Sequence, residues 1–384
     1  MFGAVKEKLF AYSSRNIKSK SFMRCGDRVK IVLCTAGRTY GASLSVNGRT
    51  YADSFNDEEP YDRLTHVFYV PSEGINEKTE LVLRLKKFPF KLATYTNRFL
   101  FGMPKYAEED GLLREYDNGL EAVKTETEKV SDGVEFSHIL YNDRESRPVH
   151  VFVTQVNPEY ASVYIGTPSD GYEGKKVRAT IPEMAKAAVR NGHDIVAAVN
   201  ADFFDIFGDF HPSGLCMKNG RVVANPESKR PFIALMKDGT HTITDLDETP
   251  DAVSRINHAA AGLQMIVRDG KIYDYAPLEP FSFVRHPRTS VGIRKDSGII
   301  IAVVDGRIPD YSNGATLVDL AGIMISFGAD RAINLDGGGS SAMYTRRGDE
   351  LFLHSRPADL FRPTAKLIRK DFNSILIEAK NRTF

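Results

Sequence analysis

Tryptophan is absent from the 384 residues, cysteine occurs only at positions 25, 34 and 216, and neither sign of charge prevails. Each shortage excludes something. Three scattered thiols make no disulfide framework and offer no close pair for a structural zinc, so Cys25, Cys34 and Cys216 are expected to be buried thiols. With 51 basic against 50 acidic residues and a net charge of +1, no global field draws the chain toward nucleic acid or an anionic membrane. No window approaches the roughly 18 uninterrupted apolar residues that cross a bilayer, and Met1 to Lys20 lacks the apolar core of a signal peptide. The chain reads as soluble, without a membrane span. That makes it cytoplasmic as it stands, and extracellular or in the cell envelope if a leader has been removed.

What is present is ample apolar content, 42% of a chain too long for one core, which predicts two domains. From Val29 to about Leu100, short apolar runs alternate with turn chemistry, as at Ala42 to Val46 before Asn47-Gly48 and at Leu81 to Leu85. Asn-Gly between two such runs favours a type I′ hairpin. Residues 1–102 are therefore expected to form a small antiparallel β-sandwich, an accessory domain fit to bind carbohydrate. Residues 103–131, rich in Glu, Lys and Asp, predict a charged linker or surface helix. Residues 132–384 then form an α+β catalytic domain around a mixed β-sheet.

Two helices in that domain carry clear boundaries. Thr180 with Glu183 makes a capping box ahead of Met184, Ala187 and Ala188, with Gly192 as the stop. Thr316 with Asp319 opens the other, with Leu317, Leu320, Ala321 and Met324 at helical spacing and Gly328 as the stop. Each feeds a strand that ends alike, Asn200-Ala201-Asp202 and Asn334-Leu335-Asp336. Alternation puts residues two apart on one face, so each Asn and Asp projects side by side. The order helix, Gly, strand, Asn-x-Asp thus occurs twice and predicts a pseudo-symmetric core whose two polar ends meet in one cleft. Ile299 to Val304 supplies a third apolar strand, ending in Asp305-Gly306-Arg307.

A carboxylate at the end of a buried strand is costly unless solvated, paired or bound to a cation, which makes Asp202, Asp305 and Asp336 candidates for a shared catalytic site. A single Asp-Gly is ordinary turn chemistry. Four matched polar residues at two strand ends are harder to read as independent turns. Gly337, Gly338 and Gly339, followed by Ser340 and Ser341, allow backbone N–H groups to approach an anion, although no Lys follows at the Walker position. Arg288 and Arg307 at strand edges offer planar donor forks for phosphate. His211 beside Asp209 is a candidate for proton transfer, and Phe203, Phe204, Phe207 and Phe210 either wall a cleft or pack the core.

The strings Asn200-Ala201-Asp202-Phe203-Phe204-Asp205, Arg288-Thr289-Ser290-Val291-Gly292, Asp305-Gly306-Arg307 and Asn334-Leu335-Asp336-Gly337-Gly338-Gly339-Ser340-Ser341 together resemble the phosphodiester glycosidase family. The similarity runs from about Val134 to Ile377 and leaves the N-terminal domain uncovered. It implies hydrolysis of a sugar joined through its anomeric carbon to phosphate, with a carbohydrate or glycopolymer carrying an anomeric phosphate as partner. It implies a site lined by Asn200, Asp202, Arg288, Asp305, Arg307, Asp336 and Ser340. This chain has Ala201 where many members have Gly, and Asp202 falls at a position that varies.

Two carboxylates usually serve glycoside hydrolysis. A phosphate departs with little protonation, so cationic and backbone donors can replace a strong general acid. On this reading Asp336 and Asp305 act as base or nucleophile, Asp202 completes the carboxylate set, and Arg288, Arg307, Asn200, Asn334 and the Gly337 to Ser341 turn bind substrate. No cofactor is required; calcium is left open by the Asp cluster and the acidic Asp245 to Asp251 loop, which lacks calcium-loop spacing. Two alternatives remain. One is a non-catalytic carbohydrate-binding protein. The other is a serine hydrolase using Ser340, disfavoured because Met343 to Leu353 reads as a hairpin and not as the helix a nucleophile elbow needs.

Overall fold

A computed structural model describes residues 120–143, 146–171, 177–205, 210–273, 285–308, 310–361 and 368–380, together with strand segments between 17 and 113. The chain forms two compact units, Met1–Asp117 with Ala276–Val284, and Asn118–Tyr275 with Arg285–Phe384. Phe207, Asp209 and Cys25 lie outside the described side chains.

In the first unit, Asn47 and Gly48 both take positive φ, 47° and 77°, and close the hairpin between Arg28–Val46 and Arg49–Ala52. The long Arg28–Val46 strand pairs with Ile17–Cys25 and Arg63–Pro71 along its first half and with Glu80–Lys87 along its second. Val29, Ile31, Phe68 and Val70 from one half bury with Leu44, Val46, Leu81 and Leu83 from the other. The described strands form one antiparallel sheet continued through the long strand, and its two halves share this core.

The charge-rich stretch differs from expectation. Glu121–Ser131 is neither linker nor helix but an exposed edge strand, antiparallel to Val134–Asn142 across a turn in which Gly133 has φ 67°. Thr and Val supply the pairing residues, while the Glu and Lys side chains guard the free edge against further pairing.

The second unit is mostly β-sheet with few helices. Both capping boxes form as read, with Thr180 and Thr316 each accepting from the backbone N–H three residues on, at helices Ile181–Arg190 and Leu317–Ser326. Such caps stabilise a helix by about 1 kcal/mol each. Gly192 and Gly328, at φ 93° and 85°, end them.

Each helix joins two strands of one sheet. Ala161–Gly166 leads through the first helix to Ile195–Asn200, and Ile299–Val304 leads through the second to Ala329–Asn334. In neither case do the two strands touch. Ser374–Ala379 is inserted between the first pair and Arg288–Arg294 between the second, antiparallel to both neighbours. Around both helices the described pairings are antiparallel where the helix–strand order predicts a mixed sheet, because the strands that run parallel are separated by one running the other way. The same split strand–helix–strand arrangement occurs twice. A third antiparallel sheet, with Cys216–Lys218, Phe232–Met236 and Ile256–Ala261 among its strands, completes the unit. Val199, Ile375, Val291, Ile333, Ile233 and Ala260 bring all three sheets into one core. Each such large aliphatic side chain adds about 1.5–3 kcal/mol on burial, which anchors the strand ends that carry the polar residues.

Candidate active site

The insertion pattern fixes where polar residues gather. The C-terminal end of each returning strand lies beside the N-terminal start of its inserted strand, with Asn200 opposite Ser374 and Asn334 opposite Ser290. The two ends are joined directly. Asn200 donates from Nδ2 to the Asp336 carbonyl at 2.6 Å and accepts at Oδ1 from Thr289 at 2.9 Å. Asp336 returns its N–H to the Ala201 carbonyl at 3.0 Å, and Leu335 N–H reaches the Thr289 carbonyl at 2.9 Å. Positions 200, 289 and 336 thus share one location.

Around it stand four carboxylates. Asp202 is buried, exchanging two bonds with Asn373: its N–H donates to Oδ1 at 3.1 Å and its Oδ2 accepts from Nδ2 at 3.0 Å. Burial pushes its carboxyl up to about 8, with Asn373 opposing and Asp336 adding to the rise. Asp371, also buried, accepts from the Ser340 hydroxyl at 2.9 Å and is raised well above the usual carboxylate range by burial and by Asp336. Asp359 is held by two donors of Arg369, at 2.9 and 2.7 Å. Asp336 itself is half-buried, so it alone of the four reaches solvent appreciably. Its own carboxyl, raised to about 6 by burial, is drawn back by Ser340, Gly337 N–H and Arg369. Asp336 therefore gives up its proton more readily than Asp202.

The glycine turn is shaped by close approach. Gly338 takes φ 64°, and its α-carbon faces the Arg307 guanidinium, whose Nη1 stands 3.1 Å from where a Cβ would be. A side chain at Gly339 would overlap the Asp359 carboxylate. The turn does not present all its N–H groups as the sequence suggests. Gly337 N–H donates to Asp336 Oδ1 at 2.8 Å and Gly338 N–H to the Pro287 carbonyl at 3.0 Å.

Asp305 and Arg288 belong to the same backbone knot, since Gly306, Gly314 and Pro287 pack within contact distance of one another. Their side chains point to other partners. Asp305 is fully buried and accepts from Arg356 N–H at 2.7 Å and Tyr311 OH at 3.1 Å; burial raises its carboxyl to about 7. Arg288, buried as well, donates from Nε to the Ala315 carbonyl at 3.0 Å. Arg307 is exposed, at φ 61°, and donates from Nε to His286 Nδ1 at 3.2 Å. Burial beside Arg307 and Arg288 lowers His286 to about 3, which keeps that imidazole neutral and able to accept. Asn334 is buried with neither side-chain polar atom hydrogen-bonded, and Ser341 receives the Thr289 hydroxyl at 3.2 Å.

Sequence reasoning missed Asp371, Asn373, Asp359 and Arg369. A signal for the first two was present: Asp371-Phe372-Asn373 repeats the spaced Asp/Asn pair directly before the inserted Ser374–Ala379 strand. Asp359 and Arg369 had none, because only the fold brings them to Gly339 and Ser340. The serine-hydrolase reading fails on geometry. The Ser340 hydroxyl donates to Asp371 and accepts from Arg369 at 3.3 Å, and the Met343–Arg347 and Glu350–Leu353 strands after it form a hairpin. His211 packs its ring against Phe372 at 5.7 Å; Phe204 is in the core, and Phe210 lies under the Arg178 guanidinium. Among the described residues no three His, Cys, Asp or Glu side chains converge as a metal set, and Glu248 of the acidic loop pairs with Arg331 at 2.7 Å and with Arg268.

Comparison with known proteins adds the family. Residues 193–369 match the family described as phosphodiester glycosidase. A segment of 187 residues, 45% of this chain, is 29% identical to the SPbeta prophage-derived uncharacterized protein YomE of Bacillus subtilis (strain 168). The match covers 27% of that relative, so the chain spans about a quarter of its length. The fold is similar to the zebrafish N-acetylglucosamine-1-phosphodiester alpha-N-acetylglucosaminidase catalytic domain auto-inhibited by pro-peptide. That likeness has a TM-score of 0.54 at 22% identity and covers 67% of this chain and 89% of that one. The stretch that matches the phosphodiester glycosidase family, residues 193–369, holds Asn200, Arg307, Asp336 and Ser340.

Proposed function

We propose that this site hydrolyses a sugar-1-phosphodiester, with α-N-acetylglucosaminyl phosphodiesters as the substrate class, releasing free sugar and a phosphomonoester. The observation that carries the reading is the cluster itself: Asp202, Asp359 and Asp371 are buried, Asp336 less so, and burial raises Asp202 further than Asp336, which Ser340, Gly337 N–H and Arg369 draw back. Environments that push neighbouring acids apart in this way mark acid–base sites and are of no use to a passive lectin.

In the proposed mechanism Asp336 is the catalytic residue, meeting the anomeric carbon as nucleophile or activating the water that does. The C1–O bond breaks and its electron pair leaves with the phosphate oxygen. Because a phosphate monoester is a good leaving group, stabilisation of its charge matters more than protonation, and Arg307 at the exposed rim beside Gly338 supplies a planar donor fork. Asp202 and Asp371 act as positioning residues whose neutrality spares Asp336 a second negative neighbour. Asp305, bonded through Oδ2 to Arg356 N–H and Tyr311, and Arg288, bonded to the Ala315 carbonyl, act as positioning residues for the Gly306–Arg307 turn.

The test is incubation with an aromatic phosphodiester of α-N-acetylglucosamine and with bacterial envelope glycopolymer. Sugar release that is abolished in Asp336→Asn supports the reading; a wild-type enzyme inert across such a panel refutes it.

A further inference from the structure

One hollow of about 610 Å³ is lined by Tyr311 and Arg356, the partners of Asp305, and by none of the four carboxylates of the Asp336 cluster. Its floor follows from strand alternation. Phe136 and His138 on Val134–Asn142 share a face with His150 and Phe152 on Pro148–Val156. The rings form a column: Tyr311 on His150 at 4.1 Å, His150 near His138 at 5.0 Å, His138 on Phe152 at 4.7 Å. Arginines close both ends, Arg356 4.0 Å over Tyr311 and Arg347 4.2 Å over Phe352.

The two arginines are not equivalent. Arg347 is paired with Glu128 at 3.0 Å, whereas Arg356 is exposed and forms no ion pair among the described residues. Phe352 is 46% exposed at the other end, an apolar face left to solvent. Burial lowers His150 and His354 to about 4, which keeps both imidazoles neutral at pH 7; His150 Nδ1 is bonded to His138 Nε2 at 2.7 Å and His354 Nε2 to the Thr345 hydroxyl at 2.6 Å, so each ring has its other nitrogen for a ligand. Glu126 and Glu128 on the rim add acceptors. Ring faces, one ring nitrogen on each imidazole, rim acceptors and the exposed Arg356 guanidinium suit a polyol ring carrying an anion.

We infer that this hollow is a second saccharide-binding site, which takes a pyranose bearing a phosphate, the sugar against Phe352 and the imidazoles and the phosphate on Arg356. It does not depend on turnover at Asp336.

Calorimetric titration at neutral pH with glucose 6-phosphate, glucose and inorganic phosphate tests it on the wild type and on Asp336→Asn, Arg356→Ala and Phe352→Ala. Glucose 6-phosphate should bind the wild type and Asp336→Asn alike. Arg356→Ala should weaken it about tenfold, the size of one charge-assisted hydrogen bond, and Phe352→Ala about threefold. Both exposed variants should turn over a small aryl phosphodiester within about twofold of the wild type. Absence of binding, unchanged binding in Arg356→Ala, or binding lost in Asp336→Asn overturns the proposal, as does inorganic phosphate binding as tightly as the phosphosugar. An inert enzyme that still binds glucose 6-phosphate through Arg356 would refute the hydrolase reading and leave this one standing.

Discussion

The two strand ends that spell Asn-x-Asp carry the same residues into opposite circumstances. At the first, Asn200 makes three bonds, to Asp336 O, Thr289 and Ala342 N–H, while Asp202 is sealed in and kept protonated. At the second, the Asn334 side chain makes none, while Asp336 is half-buried and drawn back toward the ordinary carboxylate range, to about 6. Repetition of a motif therefore divides labour. The first end is the scaffold and the second end the reactive edge, and environment rather than residue type assigns the roles.

The comparison is broken most severely by removing each charge in turn. Asp336→Asn should lower kcat/KM by at least about 10³-fold, whereas Asp202→Asn, which reproduces the neutral carboxyl, should retain activity within about tenfold at pH 7. Steady-state kinetics on the aryl phosphodiester decides; equal losses would erase the distinction between the two ends.

A second contrast concerns stability. Asn200→Ala strands a carbonyl, a hydroxyl and a backbone N–H in the interior and should cost about 2–4 kcal/mol, while Asn334→Ala, with no bond to lose, should cost less than about 1 kcal/mol. Urea denaturation of both variants compares them. Similar costs would mean that Asn334 has partners the fold does not show.

The smallest effect is the pH dependence of folding. A carboxyl near its ordinary value in the unfolded chain and at about 8 in the fold keeps a proton the unfolded chain gives up. The stability it supports is complete below about pH 4 and is lost as pH rises toward 8. Asp202→Asn removes that slope, so the drop in Tm between pH 5 and pH 8 should shrink relative to the wild type; an unchanged drop would show that Asp202 titrates normally.

Much of this was legible in the sequence where the cause is local. Thr180 with Glu183 and Thr316 with Asp319 mark helix starts by hydrogen bonds made within one turn, and the spacing of Asn200 with Asp202 and Asn334 with Asp336 fixes a shared face. Long-range pairing was not legible. The hairpin of Glu121–Ser131 with Val134–Asn142 is a different case: the Asp132-Gly133 turn that closes it is a local signal, and the run of Glu and Lys before it hid the strand. Asp305 reads as a site carboxylate by motif, but its direction is set by Arg356 and Tyr311, which are 51 and 6 residues away. The insertion of Ser374–Ala379 and Arg288–Arg294 between the parallel strands, which brings Asp371 and Asn373 to the cluster, is a property of topology that periodicity does not carry.

The pH profile of kcat/KM tests the division of protonation most directly. The wild type should show a bell with limbs near pH 6 and pH 8, the first from Asp336 losing its proton and the second from Asp202 gaining a charge beside it. Asp202→Asn should keep the acid limb and lose the alkaline one; an alkaline limb that persists unchanged in that variant would contradict the account.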